Sequence, residues 1–99
     1  MAKDTLFILE RSYTDDDGEY FCRDCVEVDG LLALFPELGA RLNVIRVPWT
    51  KPRVPVVEAL GEDNQNCPAL AFPEGGFVNT QDALLAALHE RHGFPIRSS

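Results

Sequence analysis

Seven prolines, running from Pro36 to Pro95 in a chain of 99 residues, limit how far any regular element can extend. Proline has no backbone N–H and its ring clashes with the preceding helical turn, so it continues neither a helix interior nor a central strand. With Gly, Asn and Asp, the prolines cut the apolar residues into short runs. That pattern predicts alternating strands and short helices packed as one small α/β domain spanning residues 1–99, because this length builds a single core and not two.

Thr5 to Glu10 is a short apolar run suited to an interior strand. Arg11 to Tyr20, rich in Ser, Asp and Gly, reads as a long surface loop. From Cys22 the period changes: Cys25, Val28, Leu32 and Phe35, widened by Leu31, recur at helical spacing until Pro36 stops them. Gly30 weakens the middle of that helix, and a tight helix-to-sheet contact is expected to account for it.

Leu42 to Trp49 forms a second strand, ended around Pro48, and a short helix runs from Pro55 or Val56 to Leu60 with Gly61 as its cap. Ala69 to Phe72 and Phe77-Val78 read as a hairpin around the Pro73-Glu74-Gly75-Gly76 turn. Asn79 or Thr80 caps a last helix with Leu84, Leu85, Ala87 and Leu88 on its apolar face, and Gly93 stops it. Residues 96–99 are expected to be a flexible tail. The predicted order is β-α-β-α-β-β-α, a four-stranded mixed sheet with helices on both faces.

Sixteen acidic residues against nine basic ones give a net charge of −7, which disfavours nucleic acid and anionic membrane as partners. No apolar run approaches the length of a membrane span, and the opening residues lack the pattern of a secretory signal. A cytoplasmic location is therefore expected. In that reducing compartment three cysteines are thiols with a chemical or packing role, not a disulfide framework.

Cys22-Arg23-Asp24-Cys25 is the chemically informative stretch. Two cysteines three apart at a helix start lie on one turn, and the first sits beside unpaired backbone donors and the positive end of the dipole. Such a setting lowers a thiol pKa, so Cys22 can attack a disulfide and Cys25 can resolve the intermediate. Asp24, Glu27 and the acidic loop oppose further negative charge, leaving a moderately activated thiol as the expectation. Taken alone, the spacing also fits half a metal site or structural cysteines.

Cys67-Pro68, directly before the third strand, is the second landmark. Cys67 is either a small buried hydrophobe or a third thiol facing the first two. His89 and His92 fall at the far end of the last helix, so no metal site is expected, and no cofactor motif is present; the Pro73 to Gly76 turn lacks the spacing and lysine of a phosphate-binding loop.

On these landmarks the chain resembles the thioredoxin-like superfamily, and within it the glutaredoxin and glutathione-transferase N-terminal branch. Residues 5 to 93 follow the family order of elements. The resemblance implies Cys22 as nucleophile, Cys25 as resolving thiol, Pro68 as the cis-proline, and Cys67 as the residue whose backbone faces an extended thiol substrate. It also brings Thr80 and Gln81 to the substrate groove, where the family usually has an acidic residue and a serine. Arg23-Asp24 stands in place of the usual residues between the cysteines. The whole chain is similar as well to a small bacterial family catalogued as a domain of unknown function.

Two functions follow from this reading. The first is thiol-disulfide exchange or redox sensing through Cys22 and Cys25, acting on a protein or small-molecule thiol. The second is a noncatalytic binding or structural module of the same fold, in which a homodimer is one arrangement.

Overall fold

In a computed structural model, which describes residues 2–10 and 12–98, the chain forms a mixed α/β structure. Its elements are β1 (Thr5–Leu9), β2 (Tyr13–Asp15), β3 (Gly18–Tyr20), α1 (Arg23–Leu34), α2 (Pro36–Gly39), β4 (Asn43–Val47), α3 (Val54–Leu60), β5 (Ala69–Ala71), β6 (Phe77–Val78) and α4 (Gln81–His92). The main sheet has the order β4-β1-β5-β6. β4 runs parallel to β1, with Phe7 opposite Ile45, while β5 lies antiparallel on the other side, with Leu6 opposite Leu70. β6 pairs antiparallel with β5.

The central strand shows why this order is stable. Leu6, Phe7, Ile8 and Leu9 are all buried. Successive strand residues point to opposite faces, so four in a row can be buried only if both faces are covered. Val28 of α1, Val56 of α3, and Leu84 and Leu88 of α4 join the same core, with Phe94 beyond α4 completing it.

Most predicted elements are present, with shorter strands than the apolar runs suggested. Three features differ. Part of the predicted loop from Arg11 to Tyr20 is the β2–β3 hairpin, with Tyr13 opposite Tyr20; Arg11 itself lies outside the described residues. This hairpin stands apart from the main sheet and is anchored by aromatic contact, the Tyr13 and Trp49 rings having centroids 4.6 Å apart. After α1 the chain makes a further helical turn, α2, with Pro36 at its start, where a missing N–H costs nothing. Gly30 does not mark a tight contact either: a Cβ placed there would meet nothing within 4 Å.

At the end of α4, Gly93 adopts φ 82° and ψ 14°, the left-handed conformation that glycine takes without steric cost, and its N–H bonds the His89 carbonyl. The chain then returns along the helices. Arg97 reaches Glu27 of α1 through two bonds of 2.7 Å. Among the described residues, no helix is long and apolar enough to cross a membrane.

Candidate thiol site

β1 ends at Leu9 and the hairpin returns the chain to Cys22, the N-cap of α1. Cys22 has extended backbone angles, φ −85° and ψ 114°, and its sulfur accepts a hydrogen bond of 3.3 Å from the Cys25 N–H. A helix start leaves its first N–H groups without intrahelical partners, and here a sulfur takes the role usually filled by a Ser or Asp oxygen. The same contact directs the positive end of the helix at Cys22.

Cys22 and Cys25 are 3.1 Å apart and unbonded. Their settings differ. Cys22 is partly exposed, whereas Cys25 is 3% exposed and packs in the core. Burial pushes the Cys25 thiol far above the ordinary cysteine range; a backbone hydrogen bond from Leu9 opposes this, and the neighbouring Cys22 and Cys67 sulfurs add to it.

Cys67 precedes β5, and its peptide bond to Pro68 is cis. Pro68 is buried and Cys67 partly so. Cys22 and Cys67 each add to the upward push on the Cys25 thiol. Burial raises the Cys67 thiol, the Arg53 charge lowers it, Cys22 raises it, and a hydrogen bond from Arg53 lowers it.

Arg53 is the site residue that sequence reasoning missed. Its Nε and Nη2 donate to the Trp49 carbonyl at 3.1 and 2.9 Å, and its Nη1 donates to the Gln65 carbonyl at 2.9 Å. The only signal in the sequence was an arginine inside the proline-bounded segment Pro52-Arg53-Val54-Pro55, and proline spacing carries no information on where a guanidinium points.

Thr80 is the exposed N-cap residue of α4, without a side-chain capping bond. Gln81 is turned to α1: its Nε2 donates to the Asp24 carbonyl at 3.1 Å and to Glu27 at 2.8 Å. Its Oε1 is buried without a hydrogen-bond partner. Gln81 thus fastens the start of α4 to the Cys22–Cys25 turn. Phe21, immediately before Cys22, is 65% exposed.

Among the described residues, no group of three or more His, Cys, Asp and Glu side chains is arranged to hold a metal ion. His92 instead bonds Asp4 at 2.7 Å, and His89 contacts the Phe94 carbonyl at 2.8 Å.

A family model described as a protein of unknown function, DUF3088, matches residues 3–96. The chain belongs to the DUF3088 family. That match spans all ten elements of the fold, so Cys22, Cys25 and Cys67 lie within the DUF3088 region and not in an appended segment. Neither the curated proteins nor the solved structures contain a match to this DUF3088 chain.

Proposed function

We propose that this domain carries out thiol-disulfide exchange, or senses redox state by the same chemistry, through Cys22 and Cys25 on a thioredoxin-like scaffold. The observation that carries the reading is the contact at the start of α1: the Cys22 sulfur accepts the Cys25 N–H at 3.3 Å, with the second thiol 3.1 Å away. The positive end of the helix is aimed at that sulfur, and the form of a cysteine that attacks a disulfide is the anionic one. The mixed β-α-β and hairpin-helix succession supports the scaffold. The substrate is a protein or small-molecule disulfide, and the setting is the reducing cytoplasm.

In the exchange, the Cys22 thiolate forms a bond to one substrate sulfur and displaces the other as a thiolate, which takes up a proton. Cys25 then attacks the Cys22 sulfur, closes the Cys22–Cys25 disulfide and releases the second substrate thiol. The domain is oxidised by two electrons and the substrate disulfide is reduced.

The test is an equilibrium between the protein and glutathione buffers of set composition, read by mass spectrometry of trapped thiols. The expected result is reversible formation of a Cys22–Cys25 disulfide, lost in Cys22→Ser, with a potential inside the roughly −220 to −320 mV span of the cytosolic glutathione pool. A pair that never oxidises in that span rules out exchange there.

A second reading has its own support. Burial pushes the Cys25 thiol up, which opposes the thiolate that resolution needs and fits a binding module of the same fold, monomeric or paired as a homodimer. Capture of the same partner by wild type and by a variant with both cysteines replaced by serine favours that reading.

A further inference from the structure

Gln81 is the first residue of α4, yet its side chain serves α1. Its Nε2 donates to the Asp24 carbonyl at 3.1 Å and to the Glu27 carboxylate at 2.8 Å, which uses both protons of the amide. These two acceptors fix which way the amide lies, because turning it over would set its oxygen against a carbonyl and a carboxylate. The orientation adopted leaves Oε1 buried without a hydrogen-bond partner, which is costly for an acceptor shut away from water.

The carbonyl held in this way explains the cost. The Asp24 C=O and the Cys25 N–H belong to one trans peptide group, a rigid plane whose two polar ends point in opposite directions. That N–H is the donor that the Cys22 sulfur accepts at 3.3 Å. Gln81 and the Cys22 sulfur thus sit at the two ends of the same peptide. A bond at the carbonyl end fixes the tilt of the plane and polarises the N–H at the other. The chain of bonds continues away from the thiol. Glu27 also accepts from Arg97 Nε and Nη2, each at 2.7 Å, so the tail beyond α4 clamps the carboxylate that steadies the amide.

We propose that Gln81 is a positioning residue for the Cys22 thiol, holding the Asp24–Cys25 peptide so that its N–H faces the sulfur, and that Glu27 and Arg97 lock Gln81 in that role. The proposal takes from the exchange reading only that Cys22 is the reacting thiol. Arg23, Asp24 and Glu27 on α1, Asp82 on α4 and Arg97 on the tail line the hollow beside this turn, and Cys25 and Cys67 are the other titratable groups that interact with Cys22. A neutral substitution at Gln81 changes none of these groups, so its effect on Cys22 comes through the hydrogen bond.

The experiment follows iodoacetamide alkylation of the reduced full chain against pH, read at Cys22 by peptide mapping. Gln81→Met is expected to slow alkylation at neutral pH about threefold and to move its midpoint up by about half a unit, two readings of one effect. Its melting temperature should stay near that of the wild type, because removal of the unpaired oxygen offsets the two lost bonds. Arg97→Met is expected to move the midpoint the same way by less, and to keep that shift at high salt, where a bare charge effect is screened. It should also speed hydrogen exchange of the Cys25 amide. Arg97 lies beyond α4, so this variant carries the test if Gln81→Met does not fold.

A Gln81→Met protein whose Cys22 alkylates with the rate and midpoint of the wild type overturns the proposal, whatever its melting temperature, and leaves the exchange reading intact. Arg97→Met with an unchanged midpoint and unchanged Cys25 exchange overturns the part given to the tail. Alkylation needs no disulfide, so a Cys22–Cys25 pair that never oxidises in glutathione buffers removes exchange without touching this result.

Discussion

Arg91 grips Asp4 through two parallel N–H···O bonds, both 2.7 Å long, across 87 positions of the chain. Asp4 is the residue before β1 and Arg91 lies in the last turn of α4, so the pair joins the two ends of the fold. Its carboxylate is almost fully buried, 3% exposed, and also accepts from His92 at 2.7 Å. The guanidinium is shared with Glu74 and lies 4.2 Å from the centre of the Phe72 ring.

The two partners differ in what each would leave behind. Arg91→Met strands a buried carboxylate beside His92, and we expect a loss of about 3 kcal/mol in urea denaturation. Asp4→Asn leaves Arg91 still paired with Glu74 and partly exposed, so its loss should be smaller. The opposite order would show that the Asp4 carboxylate is not the group that depends on the pair.

Acid should unfold the domain through two carboxylates. Hydrogen bonding to Arg91 holds Asp4 below its ordinary value of 3.8, and Arg97 followed by Gln81 holds Glu27 at about 2, below its ordinary 4.5. Both pKa values are depressed in the folded state, so the stability they contribute is full above the unfolded values and is lost as pH falls from about 4.5 toward 2. Arg97→Met should raise the Glu27 midpoint toward 4.5 in an NMR titration; an unmoved midpoint would assign the shift to another cause.

Cys22 should behave as a cap independently of its redox chemistry. Cys22→Ser keeps an acceptor for the Cys25 N–H and is expected to leave stability nearly unchanged, whereas Cys22→Ala removes it and should cost about 1 kcal/mol. Equal melting temperatures for the two variants would remove the capping role.

Gly30→Ala should stabilise the domain by about 0.5–1 kcal/mol, since Gly30 lies inside α1 and an added Cβ meets nothing within 4 Å. A destabilised Gly30→Ala protein would show that the open space at this position is filled in solution.

The order of strands and helices was legible because it depends on residues near one another: proline and glycine stops, an apolar period that shifts from strand to helix, and Gly93 after α4. The Cys22–Cys25 pair was legible for a related reason, since the two residues share one turn. The hairpin was not. Tyr13 and Tyr20 pair with each other and are both exposed, and Tyr13 meets Trp49 at the margin of the core, so β2 and β3 carry none of the apolar run that marks a buried strand. Gly30 misled because a glycine inside a helix signals either a close contact or none, and only the neighbouring surface decides which. Arg53, Gln81 and the Asp4–Arg91 pair depend on where long polar side chains end, which pattern and period do not encode.

The order β4-β1-β5-β6 also determines how the sheet meets other molecules. β4 and β6 are its two margins. β6 is only two residues long, too brief a template for a passing strand. β4 carries Arg46, whose guanidinium is clamped to Asp29 at 2.6 and 2.8 Å, so an incoming backbone meets a charge already fixed at that border. Both margins thus carry a feature that opposes edge-to-edge growth, a short template on one side and a fixed charge on the other.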